Sequence, residues 1–100
     1  RLARRRVALS YALVYQREVV DEDIPAIPAG LRLRLAKAVE ARLSTHPEQY
    51  GKPLRGTLAG YWKLRVGDFR VIFRIVGREV LILAIRKRKD VYSDILKRLG

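Results

Sequence analysis

From Tyr61 onward apolar and polar residues alternate with a period of two, the spacing that sends apolar side chains to one face of a strand. YWKLRV (61 to 66), FRVIFRIV (69 to 76) and EVLILAIR (79 to 86) read as three strands. Gly67-Asp68 and Gly77-Arg78 join them, short and glycine-bearing as tight hairpins need. In the middle strand Phe69, Val71, Phe73 and Ile75 share one face, and Arg70, Ile72 and Arg74 the other. VLILAI is apolar throughout, so the last strand should be central and covered on both sides. Upstream, SYALVYQ (10 to 16) carries Tyr11, Leu13 and Tyr15 in period two and reads as a further strand.

Between these strands the period changes. Val20 and Ile24 lie four apart in VVDEDI, a short helical stretch that Pro25 should stop. A longer helix starts near Pro28 or Ala29, with Leu31, Leu35, Val39 and Leu43 as an i, i+4 apolar ladder. It should end before Pro47. HPEQYGKPLRGTLAG reads as loop, punctuated by Pro47, Gly51, Pro53, Gly56 and Gly60. At the C-terminus Val91, Ile95 and Leu99 predict a short helix capped by Asp90. The order is β-α-α-β-β-β-α: one α+β domain over residues 1–100, with an antiparallel-dominated sheet and helices mainly on one face. The other face should be solvated. Residues 1 to 6, RLARRR, read as a flexible basic tail and poorly as a secretion signal.

Charge changes the picture most. The 100 residues hold 22 Lys+Arg and 10 Asp+Glu, a net charge of +12. Such an excess attracts polyanions: nucleic acid first, then an acidic protein, then an anionic membrane surface. It is uneven. Residues 52 to 89 carry eleven cations and two acids, while four of the ten acids fall between Glu18 and Asp23. The absence of cysteine excludes a disulfide framework or thiolate metal site, and the single histidine, His46, excludes a multi-histidine site. No metal or cofactor is called for. No apolar run approaches the roughly 20 residues of a membrane span. A reducing, cytoplasmic compartment fits this composition.

The cations concentrate where a sheet face should meet water. Tyr61, Lys63 and Arg65 share a face of one strand, and Arg70 and Arg74 a face of the next. Like charges on neighbouring strands repel, by up to about 1 kcal/mol per pair. A solvated face tolerates single cations without function, but this set lacks local acids, and a phosphate backbone would neutralise it. Tyr61 and Tyr92 add stacking surfaces for unpaired bases. Trp62 alternates with Lys63 and belongs with the core. RKRK (86 to 89) joins a buried strand to the last helix, whose N-terminus already favours an anion. His46 reads as an ordinary surface histidine.

LRGTLAGYWKLRVGDFRVIFRI followed by VLILAIRKRKDVY resembles the RelE/ParE superfamily of type II toxin–antitoxin toxins. The resemblance runs from about Tyr11 to Leu99 and also takes in DEDIPAIP and LSTHP. It implies a compact toxin held inactive by a cognate acidic, RelB-like antitoxin. RelE-like members are ribosome-dependent endoribonucleases that cleave messenger RNA; ParE-like members share the fold and inhibit DNA gyrase. The RelE-like pattern falls on Lys63, Arg70, Arg88 or Arg86, and Tyr92. It departs at Tyr61, where some members have a second lysine. Arg55, Tyr61, Arg65, Arg74, Arg86, Lys87 and Lys89 are then candidates for contact with RNA or ribosome.

The chemistry of those residues fits RNA cleavage. Attack by the 2′-OH on the adjacent phosphate needs a base, stabilisation of an anionic phosphorane, and a proton for the 5′-oxygen. Lys63, set among Arg65 and Arg70, is the candidate base. Arg70 and Arg88 suit phosphate oxygens. Tyr92 can stack on a base or relay a proton. The set is a poor acid–base pair by itself, and a ribosome that positions the message would supply orientation.

Overall fold

The computed structural model describes residues 10–100, so the basic tail expected at residues 1 to 6 lies outside the described residues. β1 (Ala12–Tyr15) leads into a π-helical turn (Val19–Asp23), a short helix α1 (Ile24–Ala26) and the long helix α2 (Ala29–Leu43). A one-turn helix α3 (Pro47–Tyr50), strand β2 (Lys52–Pro53) and a 3-10 turn (Gly56–Leu58) follow. Then come β3 (Trp62–Val66), β4 (Phe69–Val76), β5 (Glu79–Lys87) and α4 (Arg88–Leu99). The sheet order is β1-β5-β4-β3-β2, with β1 parallel to β5 and every other pair antiparallel. β5 is therefore internal, as its unbroken apolar run implies.

Gly67 and Gly77 are each the first of two hairpin residues, at φ 58° and 60°, a region that L side chains rarely adopt. Pro25 does not stop the first helix. The chain passes it inside α1 and leaves the helix at Ile27, which precedes Pro28 and is extended at φ −78° and ψ 132°. The stretch read as loop from His46 to Gly60 contains α3, β2 and the 3-10 turn, each too short to show a period.

Two apolar clusters sandwich the sheet. On one face Leu35, Val39 and Leu43 of α2, with Val19 and Ile27, pack on Leu64, Val71, Phe73, Val80 and Ile82. Three of the four ladder residues of α2 thus close the protein's own core, and the first, Leu31, stays exposed. On the other face Val91 and Ile95 of α4 pack with Leu58 on Ile72 and Ala84. Where α4 stops that face stays open, with Arg65 of β3 and Arg74 of β4 exposed. A register break makes both clusters possible: Ile72 pairs with Ala84 but Phe73 with Ile82, so Leu83 bulges from β5. Beyond it Ala84 faces α4 and Ile85 the first cluster.

The short β1 leaves the end of β5 unpaired, and a side chain completes it. The Ile85 N–H donates to the buried Asp23 carboxylate at 2.8 Å. Arg98 of α4 donates to the same carboxylate at 2.6 and 2.8 Å and to the carbonyl of the bulged Leu83 at 3.0 Å. Arg86 lies 3.3 Å from Asp23 and 3.0 Å from Asp94. This cluster fixes α4 to the sheet.

Candidate nucleic-acid interface

Strand register sets the cations side by side. Lys52 on β2 faces Lys63 on β3, Arg65 faces Arg70 on β4, and Arg70 faces Arg86 on β5. Over this floor opens a cleft of about 550 Å³ lined by Arg42, Tyr50, Lys52, Lys63, Leu64, Arg65, Arg70, Arg88 and Tyr92. Six of the nine are cations and none is an acid. A smaller hollow of about 300 Å³, with Asp68 as its one acid, continues it past Arg65, Arg70 and Arg88 to Lys87 and Lys89. With no acid among the cleft's lining residues, its field is suited to an anion.

Local structure puts Arg88 there. The helix α4 starts two residues before the expected Asp90 cap, with Lys87 at its N-cap and no side chain closing it. Instead the Arg88 N–H donates to the Asp68 carbonyl in the β3–β4 turn at 3.1 Å. One satisfied helix terminus thus ties α4 to the turn below Arg65 and Arg70. Tyr92 follows one turn later, half-buried against the α4 cluster.

Arg70 departs from the expectation of a freely solvated side chain. It is only 9% exposed, and its Nη1 donates to the carbonyls of Gly67 and Phe69 at 3.1 and 3.0 Å. That fixes the guanidinium plane and leaves the Nε and Nη2 hydrogens for a ligand. The other predicted residues divide. Lys63, Arg65, Arg70, Arg88 and Tyr92 line the cleft, and Lys87 and Lys89 its extension. Arg86 is held by Asp23 and Asp94 instead, so between the two candidates after β5 it is Arg88 that opens to the cleft. Arg74 lies over the Tyr61 ring at 5.9 Å, and neither lines the cleft. Arg55 is exposed on the loop before the 3-10 turn, also outside it. Trp62 stacks on Phe73 at 6.2 Å and 18°, as a core residue. Among the described residues no His/Cys/Asp/Glu group could hold a metal ion. No helix there is long and apolar enough to cross a membrane.

The family model described as the ParE toxin of type II toxin–antitoxin systems, parDE, matches residues 16–92. The chain belongs to this toxin family. The toxin RelG of Mycobacterium tuberculosis is 33% identical over 72 residues, 70% of this chain and 83% of the relative. The toxin RelE of the same organism is 32% identical over 72 residues, 70% of this chain and 74% of the relative. The toxin–antitoxin complex RelBE2 of that organism contains a chain that superposes with a TM-score of 0.74 at 28% identity, covering 80% of this chain and 93% of that one. The chain is thus a type II toxin of the RelE-like branch, as its motifs imply.

Three residues of this toxin's cleft escaped sequence reasoning. Arg42 closes the last turn of α2, and Tyr50 and Lys52 flank Gly51 between α3 and β2. Lys52 carried a signal, since it opens the basic half of the chain. Tyr50 and Arg42 carried none, because their place depends on a two-residue strand that no period announces.

Proposed function

We propose that this toxin is a ribosome-dependent endoribonuclease that cleaves messenger RNA by attack of a 2′-OH on the adjacent phosphate. The observation that carries the reading is the acid-free cationic cleft with Tyr92 on its wall. Lys63 on the floor takes the 2′-OH proton. Arg70, oriented by the Gly67 and Phe69 carbonyls, presents its free edge to the phosphorane oxygens, and Arg88 approaches from the helix side. Tyr92 stacks on a base or passes a proton to the 5′-oxygen. Lys87 and Lys89 extend the cationic path along the strand. The ribosome supplies the orientation of the message that the four side chains lack.

A ParE-like inhibitor of gyrase is the competing reading; the family model carries the ParE name, but the relatives RelG and RelE favour the RelE-like reading. Lys63 and Tyr92 in one cleft favour the nuclease. Induction in a bacterial host, with primer extension on a reporter message, separates the two. Message cut within codons supports the nuclease; intact message with arrested replication supports gyrase.

The partner proposed is an acidic antitoxin, as RelBE2 is a toxin–antitoxin complex. Leu35, Val39 and Leu43 of the α2 ladder are buried and only Leu31 is exposed, so most of the antitoxin's apolar contacts fall on other residues. A groove of about 490 Å³ between α1 and α2, lined by Val20, Ile24, Leu33 and Ala36, offers them. Val20 and Leu33 are 51% and 66% exposed beside it. A basic partner, or complex formation without salt dependence, would contradict this assignment.

A further inference from the structure

The roles given above use one side of the cleft and its floor. Tyr92 and Arg88 rise from α4, toward β5. The opposite side, at the β2 edge, is lined by Tyr50, Lys52 and Arg42, none of which has a part in the chemistry. Tyr50 is 51% exposed, and a ring so open to water does little for the fold. It is nevertheless held in place. Pro47, at the start of α3, is fully buried. Gly51, after Tyr50, lies so close to the core that a Cβ there would come within 2.5 Å of Phe73 Cζ. His46 meets the Tyr50 ring edge-on at 6.5 Å. The backbone is thus seated on both flanks while the ring stands at the cleft. Neither Lys52 nor Arg42 is in an ion pair among the described residues.

We propose that Tyr50, Lys52 and Arg42 form a second nucleotide subsite: the Tyr50 ring stacks on the base of a nucleotide next to the scissile one, and the two cations hold its phosphate. This rests on the nuclease reading and narrows its substrate to an unpaired strand with a base gripped at each side of the cleft. A ring and adjacent cations are the parts that bind single strands with little sequence preference, because every base has a face to stack. A duplex could not enter in this way, since its bases are stacked on each other.

The test is the cleavage rate of messages on programmed ribosomes, with each base around the cut replaced in turn by an abasic unit. For the wild-type chain, one position beside the cut should slow cleavage about tenfold when its base is missing, the loss expected for one stacked base. Tyr50→Ala should cleave the intact message about tenfold more slowly and be indifferent to the base at that position. Tyr50→Trp should restore both the rate and the sensitivity. Thermal unfolding of Tyr50→Ala should match wild type, since the ring is half in water. Wild-type rates on Tyr50→Ala overturn the subsite, as does a Tyr50→Ala defect that persists undiminished at every abasic position. If the wild-type chain leaves all programmed messages intact, the nuclease reading falls, and the subsite with it.

Discussion

Two groups of arginines lie a few residues apart on this fold and live in opposite electrostatic surroundings. Arg86 and Arg98 converge on the buried Asp23, with Asp94 and Glu22 within ion-pair distance. Hydrogen bonding to Asp23 raises the Arg98 pKa above its already high ordinary value. Arg65, Arg70 and Arg88 line a cleft that has no acid on its walls, are in no ion pair among the described residues, and have Asp68 as the one acid beside them, in the adjoining hollow. The acids of the 18–23 segment reach the C-terminal helix across the sheet, and none reaches the cleft. The comparison teaches that net charge alone locates nothing. What marks the binding surface is where the fold declines to place the acids it has.

The largest effect should come from breaking the neutralised group. Asp23→Ala would strand two partly buried guanidinium groups and the Ile85 N–H, at a cost of about 3–5 kcal/mol for an uncompensated buried pair. Urea unfolding should show a midpoint far below wild type. If stability is unchanged, the network does not hold α4 as described.

Breaking the open group should affect activity more than fold. Arg70→Ala should abolish cleavage on programmed ribosomes. It also removes two bonds to turn carbonyls, so the cost is about 1–2 kcal/mol and not the ±0.5 kcal/mol of an ordinary surface change. A folded Arg70→Ala variant that remains fully toxic would remove Arg70 from the site.

How much of this contrast was legible beforehand depends on range. The hairpin strands and α2 showed in their periods, and the positions of Lys63, Arg70 and Tyr92 followed from a face argument and a motif. The Asp23 cluster joins residues 75 positions apart, and no local pattern pairs Asp23 with Arg98. The same blindness made Arg70 look freely solvated, because its burial depends on the turn beside it. It made Arg86 and Arg88 look equivalent, because the strand runs through Lys87 before the helix starts at Arg88. The α4 face read as open because the Leu83 bulge, which turns Ala84 toward α4, leaves no mark in a run that is apolar throughout.

Tyr92 offers a finer cut within the open group. Tyr92→Phe keeps the ring and removes only the hydroxyl, so message binding should persist. Cleavage should fall if the hydroxyl orients or protonates the 5′-oxygen, and should survive if the ring only stacks; Tyr92→Ala is then the damaging change. Single-turnover rates for both variants decide between the two roles. Cleavage insensitive to both substitutions would take Tyr92 out of the site altogether.

The smallest effect compares one cation from each kind of surrounding. Arg65 lines the cleft, whereas Arg74 is engaged by the Tyr61 ring at 5.9 Å, away from it. Affinity for an unpaired RNA strand should fall with salt, with a slope of about 0.7 for each phosphate neutralised. Contacts from Lys63, Arg65, Arg70 and Arg88 then give a slope of roughly −3 by that rule. Arg65→Ala should bring it toward zero by about 0.7, with stability within about 0.5 kcal/mol of wild type. Arg74→Ala should leave the slope where it was and cost instead the about 0.5–1 kcal/mol of an exposed cation–π contact. Equal changes in slope for the two variants would mean that the strand crosses the whole sheet face rather than following the cleft. Its path would then be set by the basic half of the chain at large, not by the acid-free cleft that Lys63, Arg65, Arg70 and Arg88 line.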